Sequence, residues 1–204
     1  IGYWHIGVPP SGPMDSFAFR IANKLVGNTE KEAGLEITGM GPTLKFLEDA
    51  VVVLTGAKLV SNLDGVEIPW MKPFRVIKGS KLTLGTVEGG GFRSYMAIKG
   101  GFDIPSYLGS KSTFPHGGFG GFEGRIIRKG DVLKVNKYLE KENAFHVKKS
   151  LNFNIQTFYT NEWEIGVLEG PHSAPDFFTE DYLKTFFDTK WKVNLNANRL
   201  GYRL

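Results

Sequence analysis

The sequence predicts an all-β chain with a few short helices, on three observations. Short runs rich in Val, Ile, Leu and Phe recur at about ten-residue spacing between residues 35 and 135, a rhythm of barrels or sandwiches rather than of alternating βαβ units. Glycine is abundant, 26 of 204 residues, against ~7% in an average protein, and many of the glycines fall between those runs, where turns are needed. Only two segments carry the three- and four-residue apolar spacing of a helix.

The first of these opens after a stiff loop holding Pro9, Pro10 and Pro13. Ala18, Ile21, Ala22, Leu25 and Val26 share one helical face, Asp15 or Ser16 can cap the start, and Gly27 can end the helix in the left-handed region. Strands are then expected at residues 35–38, 43–46 and 50–54, broken by Gly39, Gly41, Pro42 and Gly56. Residues 58–61 and 66–68 flank Asn62-Leu63-Asp64-Gly65, a hairpin signal through its Asp-Gly pair. Further strands are expected at 74–77, 81–84, 93–98, 125–127 and 132–135. Gly89-Gly90-Gly91 and Gly100-Gly101 read as turns or bulges. Residues 136–151, richer in Lys, Glu and Asn, read as a linker, so that one module is expected over 1–147 and the start of a second, truncated one over 148–204. In the second, strands are expected at 163–168, 191–195 and 202–204. A helix is expected at 179–187, with Thr179 as cap and Tyr182, Leu183 and Phe186 on one face. The chain opens on Ile1 and closes on Leu204 in mid-pattern, from which a fragment is expected.

Composition narrows the chemistry. The absence of cysteine removes disulfide scaffolds, thiol nucleophiles, zinc–thiolate sites and iron–sulfur sites together. The four histidines lack metal-ligand spacing, so no metal site is expected. A net charge of +4, scattered along the chain, gives no basic tract for nucleic acid. The longest apolar run, 50–54, is far below the ~20 residues of a membrane span. No signal peptide is visible, and a cytoplasmic location is the expectation.

Three segments can carry chemistry. Gly7-Val8-Pro9-Pro10-Ser11-Gly12-Pro13-Met14-Asp15 leads into a helix N-terminus, where free N–H groups can seat a carboxylate, carbonyl or phosphate. Ser11 can donate and Asp15 accept, although plain capping is the commoner use of such residues. Residues 109–125 contain six glycines, Gly117, Gly118, Gly120 and Gly121 among them, with Ser110, Lys111, Ser112, Thr113, His116 and Arg125. This is either a loop that brings backbone close to a ligand or an irregular hairpin connection, and it lacks phosphate-loop spacing. His116 between Pro115 and Gly117 lies in a loop, as a usable imidazole would. Asn198-Arg199 offers an amide and a planar guanidinium suited to a carboxylate or ureido group, or else an Asn-rich turn with an outward Arg.

The stretch Tyr3-Trp4-His5-Ile6-Gly7-Val8-Pro9-Pro10-Ser11-Gly12-Pro13-Met14-Asp15-Ser16 resembles the opening of the carboxyltransferase domain of biotin-dependent urea carboxylase, the region also labelled allophanate hydrolase subunit 2-like. The similarity runs on through Gly34-Leu35-Glu36-Ile37-Thr38, Lys99-Gly100-Gly101-Phe102-Asp103, Tyr107-Leu108-Gly109-Ser110-Lys111-Ser112-Thr113-Phe114, Gly170-Pro171-His172 and Asn198-Arg199-Leu200-Gly201-Tyr202. The resemblance implies cyclophilin-like β-barrel units and transfer of a carboxyl group from carboxybiotin to urea, giving allophanate. Biotin would ride on another domain and ATP would be used by another. The implied partners are urea or a similar small amide, the companion carboxyltransferase half, and the biotin carboxylase and biotin carrier domains, with no nucleic acid and no membrane. The fragment alone is expected to be inactive. His116, Asp15 and Arg199 are the catalytic candidates, and Ser11, Asn198, Gly117, Gly118, Gly120 and Gly121 the substrate-binding ones. A related group, subunits of 5-oxoprolinase, tends to read Ser-Gly-Ala-Met-Asp where this chain has Pro13. Such a subunit, or a regulatory binding module without catalysis, is the alternative.

Overall fold

The structure is a computed structural model, and it describes residues 3–9, 11–137, 159–194 and 201–204. Two compact units emerge, one formed by Pro10–Asn161 and one by Ile1–Pro9 with Glu162–Leu204. The expected module boundary at 147/148 lies outside the described residues.

The larger unit is mostly β. Its strands are β1 (Leu35–Thr38), β2 (Thr43–Lys45), β3 (Ala50–Gly56), β4 (Leu59–Leu63), β5 (Val66–Glu67), β6 (Phe74–Val76), β7 (Lys81–Val87) and β8 (Arg93–Ile98). They form two antiparallel sheets, ordered β1-β8-β3-β6 and β2-β7-β4-β5. The strand alternation decides what lies between and outside the sheets. Val52 and Leu54 of β3 and Met96 and Ile98 of β8 point inward, meeting Leu59, Leu82 and Leu84 of the second sheet in one core. Their odd-numbered neighbours Val53, Tyr95 and Ala97 point to the opposite face, where the helix α1 (Ser16–Leu25) covers them with Ala18, Ile21, Ala22 and Leu25. Helix, sheet and sheet thus form three layers, and β3 and β8 are buried on both faces. Asp15 caps α1 and Gly27 follows it at φ 80°, as the sequence implies. The β4–β5 hairpin turns through Asp64 and Gly65, both at positive φ, as its Asp-Gly pair requires.

Two expected strands of this unit do not form. Residues 125–127 are loop because Arg125 grips Asp131 through two hydrogen bonds of 2.7 and 2.9 Å, while the Arg128 N–H donates to the same carboxylate at 2.7 Å. Residues 132–135 contribute a single bridge, Phe102 to Val135. The linker expected from residue 136 begins on an anchored residue, since Asn136 N–H donates to the Gly101 carbonyl at 3.1 Å. Residues 138–151 lie outside the described ones.

The smaller unit carries α2 (Glu180–Asp188), capped by the Thr179 hydroxyl as expected. The strands expected at 163–168, 191–194 and 202–204 are absent, and Leu195 lies outside the described residues. The alternating Trp163, Ile165 and Val167 have the pattern of a strand but no described partner strand, and they are 53–75% exposed. Tyr182 and Phe186 likewise stay exposed, with Phe186 leaning on Trp191 at 5.9 Å.

Candidate active site

The N-terminus of α1 is fixed by a half-buried polar network. The Asp15 carboxylate accepts the Ala18 N–H at 2.9 Å and the Tyr159 hydroxyl at 2.5 Å. The Asp15 N–H donates to the Tyr95 hydroxyl at 2.7 Å, which donates to Glu36 Oε2 at 3.0 Å, and the Met14 N–H reaches the same oxygen at 2.7 Å. Burial pushes both tyrosine hydroxyls well above the usual phenol range, so they remain hydrogen-bond donors at ordinary pH. Asp15 is therefore engaged through both oxygens in holding the loop.

The same loop meets the glycine-rich segment directly. The Ser11 and Ser112 hydroxyls lie 2.6 Å apart, and Ser112 lies 2.8 Å from the Ser110 hydroxyl. Lys111 between them pairs with Glu32 at 2.8 Å, and that contact holds the Glu32 carboxyl below the usual range. The first two sequence candidates, about a hundred residues apart in the chain, are thus joined through hydroxyls.

Beyond Thr113 the segment folds back on itself. The Phe114 N–H donates to the Phe119 carbonyl at 2.9 Å, and the Phe122 N–H donates to the Thr113 hydroxyl at 3.3 Å. This return is close. A Cβ on Gly121 would stand 2.6 Å from the Thr113 nitrogen, and one on Gly120 would stand 2.6 Å from the Ser112 carbonyl oxygen. The folded loop walls a cleft of about 480 Å³, lined by Gly118, Gly120 and Gly121, by Ile104 and Tyr107, and by the charged Asp103, Glu123 and Lys134. Ser11, Asp15, His116 and Gly117 do not line this cleft. His116 sits exposed at the loop's turn, edge-on to Phe114 with ring centres 6.3 Å apart. Asn198 and Arg199 lie outside the described residues.

The sequence reading missed Tyr95, Tyr159, Glu36 and Glu32. Glu36 and Tyr95 carried a signal, since each is a polar group set among apolar residues of an expected strand (Leu35 and Ile37; Met96 to Ile98) and needs a partner if buried. Tyr159 carried none, because its partner is 144 positions away. Among the described residues, no cluster of three or more His, Asp or Glu could hold a metal, and no helix is long and apolar enough to cross a membrane.

Comparison with known proteins gives this arrangement its context. The chain is 45% identical to urea amidolyase of Saccharomyces cerevisiae over 206 residues, covering 100% of this chain and 11% of that protein. It is 36% identical to a 5-oxoprolinase subunit of Escherichia coli, covering 100% of this chain and 62% of that one. The crystal structure of the K. lactis urea amidolyase superposes with a TM-score of 0.81 at 42% identity, over 99% of this chain and 12% of that one. The chain thus spans about a ninth of the urea amidolyases it resembles. Residues 6–204 match the carboxyltransferase domain, subdomain A and B, and the chain belongs to that family.

Proposed function

We propose that this chain forms part of a carboxyltransferase site that moves a carboxyl group from carboxybiotin to urea, giving allophanate. The observation that carries the reading is the similarity of the whole of this chain to one part of urea amidolyase, 45% identical against 36% for the 5-oxoprolinase relative. Pro13, where the oxoprolinase group tends to have Ala, points the same way.

We assign the cleft to a small fused-ring ureido compound on its size and lining. Its volume of about 480 Å³ is within the range of small-molecule sites, and Ile104, Tyr107, Phe119 and Phe122 give it apolar walls. The glycines in its lining let a flat group approach the backbone without side-chain interference. Bound carboxybiotin would supply an activated carboxyl group, carried in by another domain after ATP-dependent carboxylation elsewhere in the intact protein.

The chain's own residues contribute binding and orientation. The Ser11–Ser112 contact ties the proline loop to the stretch of chain that packs against Gly120 of the cleft, and the capped α1 N-terminus holds that loop still. Urea is a weak nucleophile, so holding it close and excluding water supply much of the rate. His116, exposed on the turn of the glycine loop, presents an imidazole able to give or take a proton at a urea nitrogen. Asn198 and Arg199, which lie outside the described residues, carry an amide and a guanidinium of the kind suited to the transferred carboxylate.

His116→Ala in the intact protein separates the roles. Urea-dependent transfer should fall by roughly 100-fold, the scale of general acid–base help, while ATP-dependent carboxylation of biotin is unchanged. Equal loss of both activities, or of neither, removes His116 from the site.

A further inference from the structure

The glycine run Gly89-Gly90-Gly91, which the proposed chemistry leaves unused, lies between β7 and β8, and the structure gives it a purpose. A Cβ on Gly90 would overlap the carbonyl oxygen of Tyr159, and one on Gly91 would stand 3.0 Å from the Tyr159 ring. Gly89 and Gly91 take positive φ, 82° and 89°, bending the connection around that ring. Tyr159 packs on the core between α1 and the first sheet, and its hydroxyl reaches out of this socket to Asp15 at 2.5 Å. The backbone approach at Gly90, the ring contact at Gly91 and the hydrogen bond to Asp15 all converge on Tyr159.

The position of this contact in the chain matters. Asp15 ends the loop that carries Ser11, and it is the acceptor that starts α1. Tyr159 stands two residues before the end of the larger unit, and Pro10 begins that unit. The two segments by which the chain leaves the larger unit are therefore tied to each other by the Tyr159–Asp15 hydrogen bond. A carboxylate held on one oxygen by its own helix and on the other by a ring set in a rigid socket cannot swing, and the loop before it inherits that restraint.

We propose that Tyr159 is a positioning residue for carboxyl transfer: seated in the Gly89–Gly91 socket, it locks Asp15 and so fixes the Ser11–Asp15 loop against Ser112 of the glycine-rich segment. The functional half of this statement rests on the carboxyltransferase reading above, and the loop-fixing half does not. Tyr159 touches no substrate in this scheme. It acts through Asp15, whose backbone and side chain set where Ser11 stands.

The test uses the intact protein with Tyr159→Phe, which removes the hydroxyl and keeps the ring, and Gly90→Val, which blocks the socket. Two quantities are read, hydrogen exchange of the peptide covering residues 11–17 and the urea dependence of carboxyl transfer. Tyr159→Phe is expected to speed exchange in 11–17 at least tenfold while β3 and β8 exchange as in the wild type. The KM for urea should rise about tenfold with kcat changed less than threefold, as for a loop that is out of place part of the time. Gly90→Val should reproduce the exchange change. If that variant does not fold, Tyr159→Phe alone decides. Unchanged exchange in 11–17 overturns the latch. Faster exchange with an unchanged KM overturns its role in the reaction. A wild-type protein without urea-dependent transfer counts against the carboxyltransferase reading, and exchange then still decides whether Tyr159 fixes the loop.

Discussion

Asp15→Ala separates two roles that residue type alone leaves open. In the structure Asp15 is the N-cap of α1 and the acceptor for Tyr159. Removing an N-cap costs about 1 kcal/mol. Leaving the half-buried Tyr159 hydroxyl without its acceptor costs about 1–3 kcal/mol more. The local loss is then about 2–4 kcal/mol, which corresponds to roughly 30- to 1000-fold faster exchange of the α1 amides if opening is local. Asp15→Asn keeps an oxygen for the Ala18 N–H and lets the Tyr159 hydroxyl turn to accept from the new amide. Its exchange should rise less than about tenfold. The assay is exchange of the Ser16–Leu25 peptide in the intact protein, alongside urea-dependent transfer. If Asp15→Ala left α1 exchange within about threefold of wild type and still abolished transfer, Asp15 would be acting on substrate, and the structural role argued here would be refuted.

Two further outcomes follow from the glycine loop and the ion pair beside it. Gly121→Ala brings a methyl group against the Thr113 backbone at 2.6 Å and should open the loop and cut transfer strongly. Gly118→Ala, at φ 66° with open space around it, should cost only the ~1–2 kcal/mol of a left-handed residue in stability; equal losses for the two variants in thermal unfolding would contradict the packing argument. Arg125, and then the Arg128 N–H, hold the Asp131 carboxyl at about 2, below its ordinary 3.8. A carboxyl lowered on folding stabilises the loop above its ordinary pKa, and that support is lost as the pH falls through about 2. The 125–131 loop should therefore hold at pH ~5 and loosen between about pH 4 and 2. Arg125→Ala should move the Asp131 titration upward, and an unmoved carbon-detected titration would contradict the pairing.

What the sequence made legible follows from the range of the interactions. Helix α1, its Asp15 cap and Gly27 stop, and the Asp64-Gly65 hairpin depend on neighbours within a few residues, and they form as their local chemistry implies. Strand β8 matches its run because Ser94 to Ile98 are all buried between α1 and the second sheet, and β1 pairs along it with Ile37 in the core. The expected strand at 125–127 failed because one charged contact, Arg125 to Asp131, outweighed the local Ile-Ile preference for extended pairing. The expected strand at 163–168 has the right alternation and no described partner, which periodicity cannot reveal. At the site, the loops bearing Ser11 and residues 109–125 were recognisable from composition and resemblance. Their junction through Ser112 and the Tyr159 lock on Asp15 join residues 101 and 144 positions apart. No local pattern encodes such pairings.

The most direct measurement of the central claim is the fate of labelled bicarbonate in the intact protein supplied with ATP and either urea or 5-oxoproline. The account predicts label in allophanate, formed only when urea is present. Turnover driven by 5-oxoproline, with no label captured by urea, would contradict it.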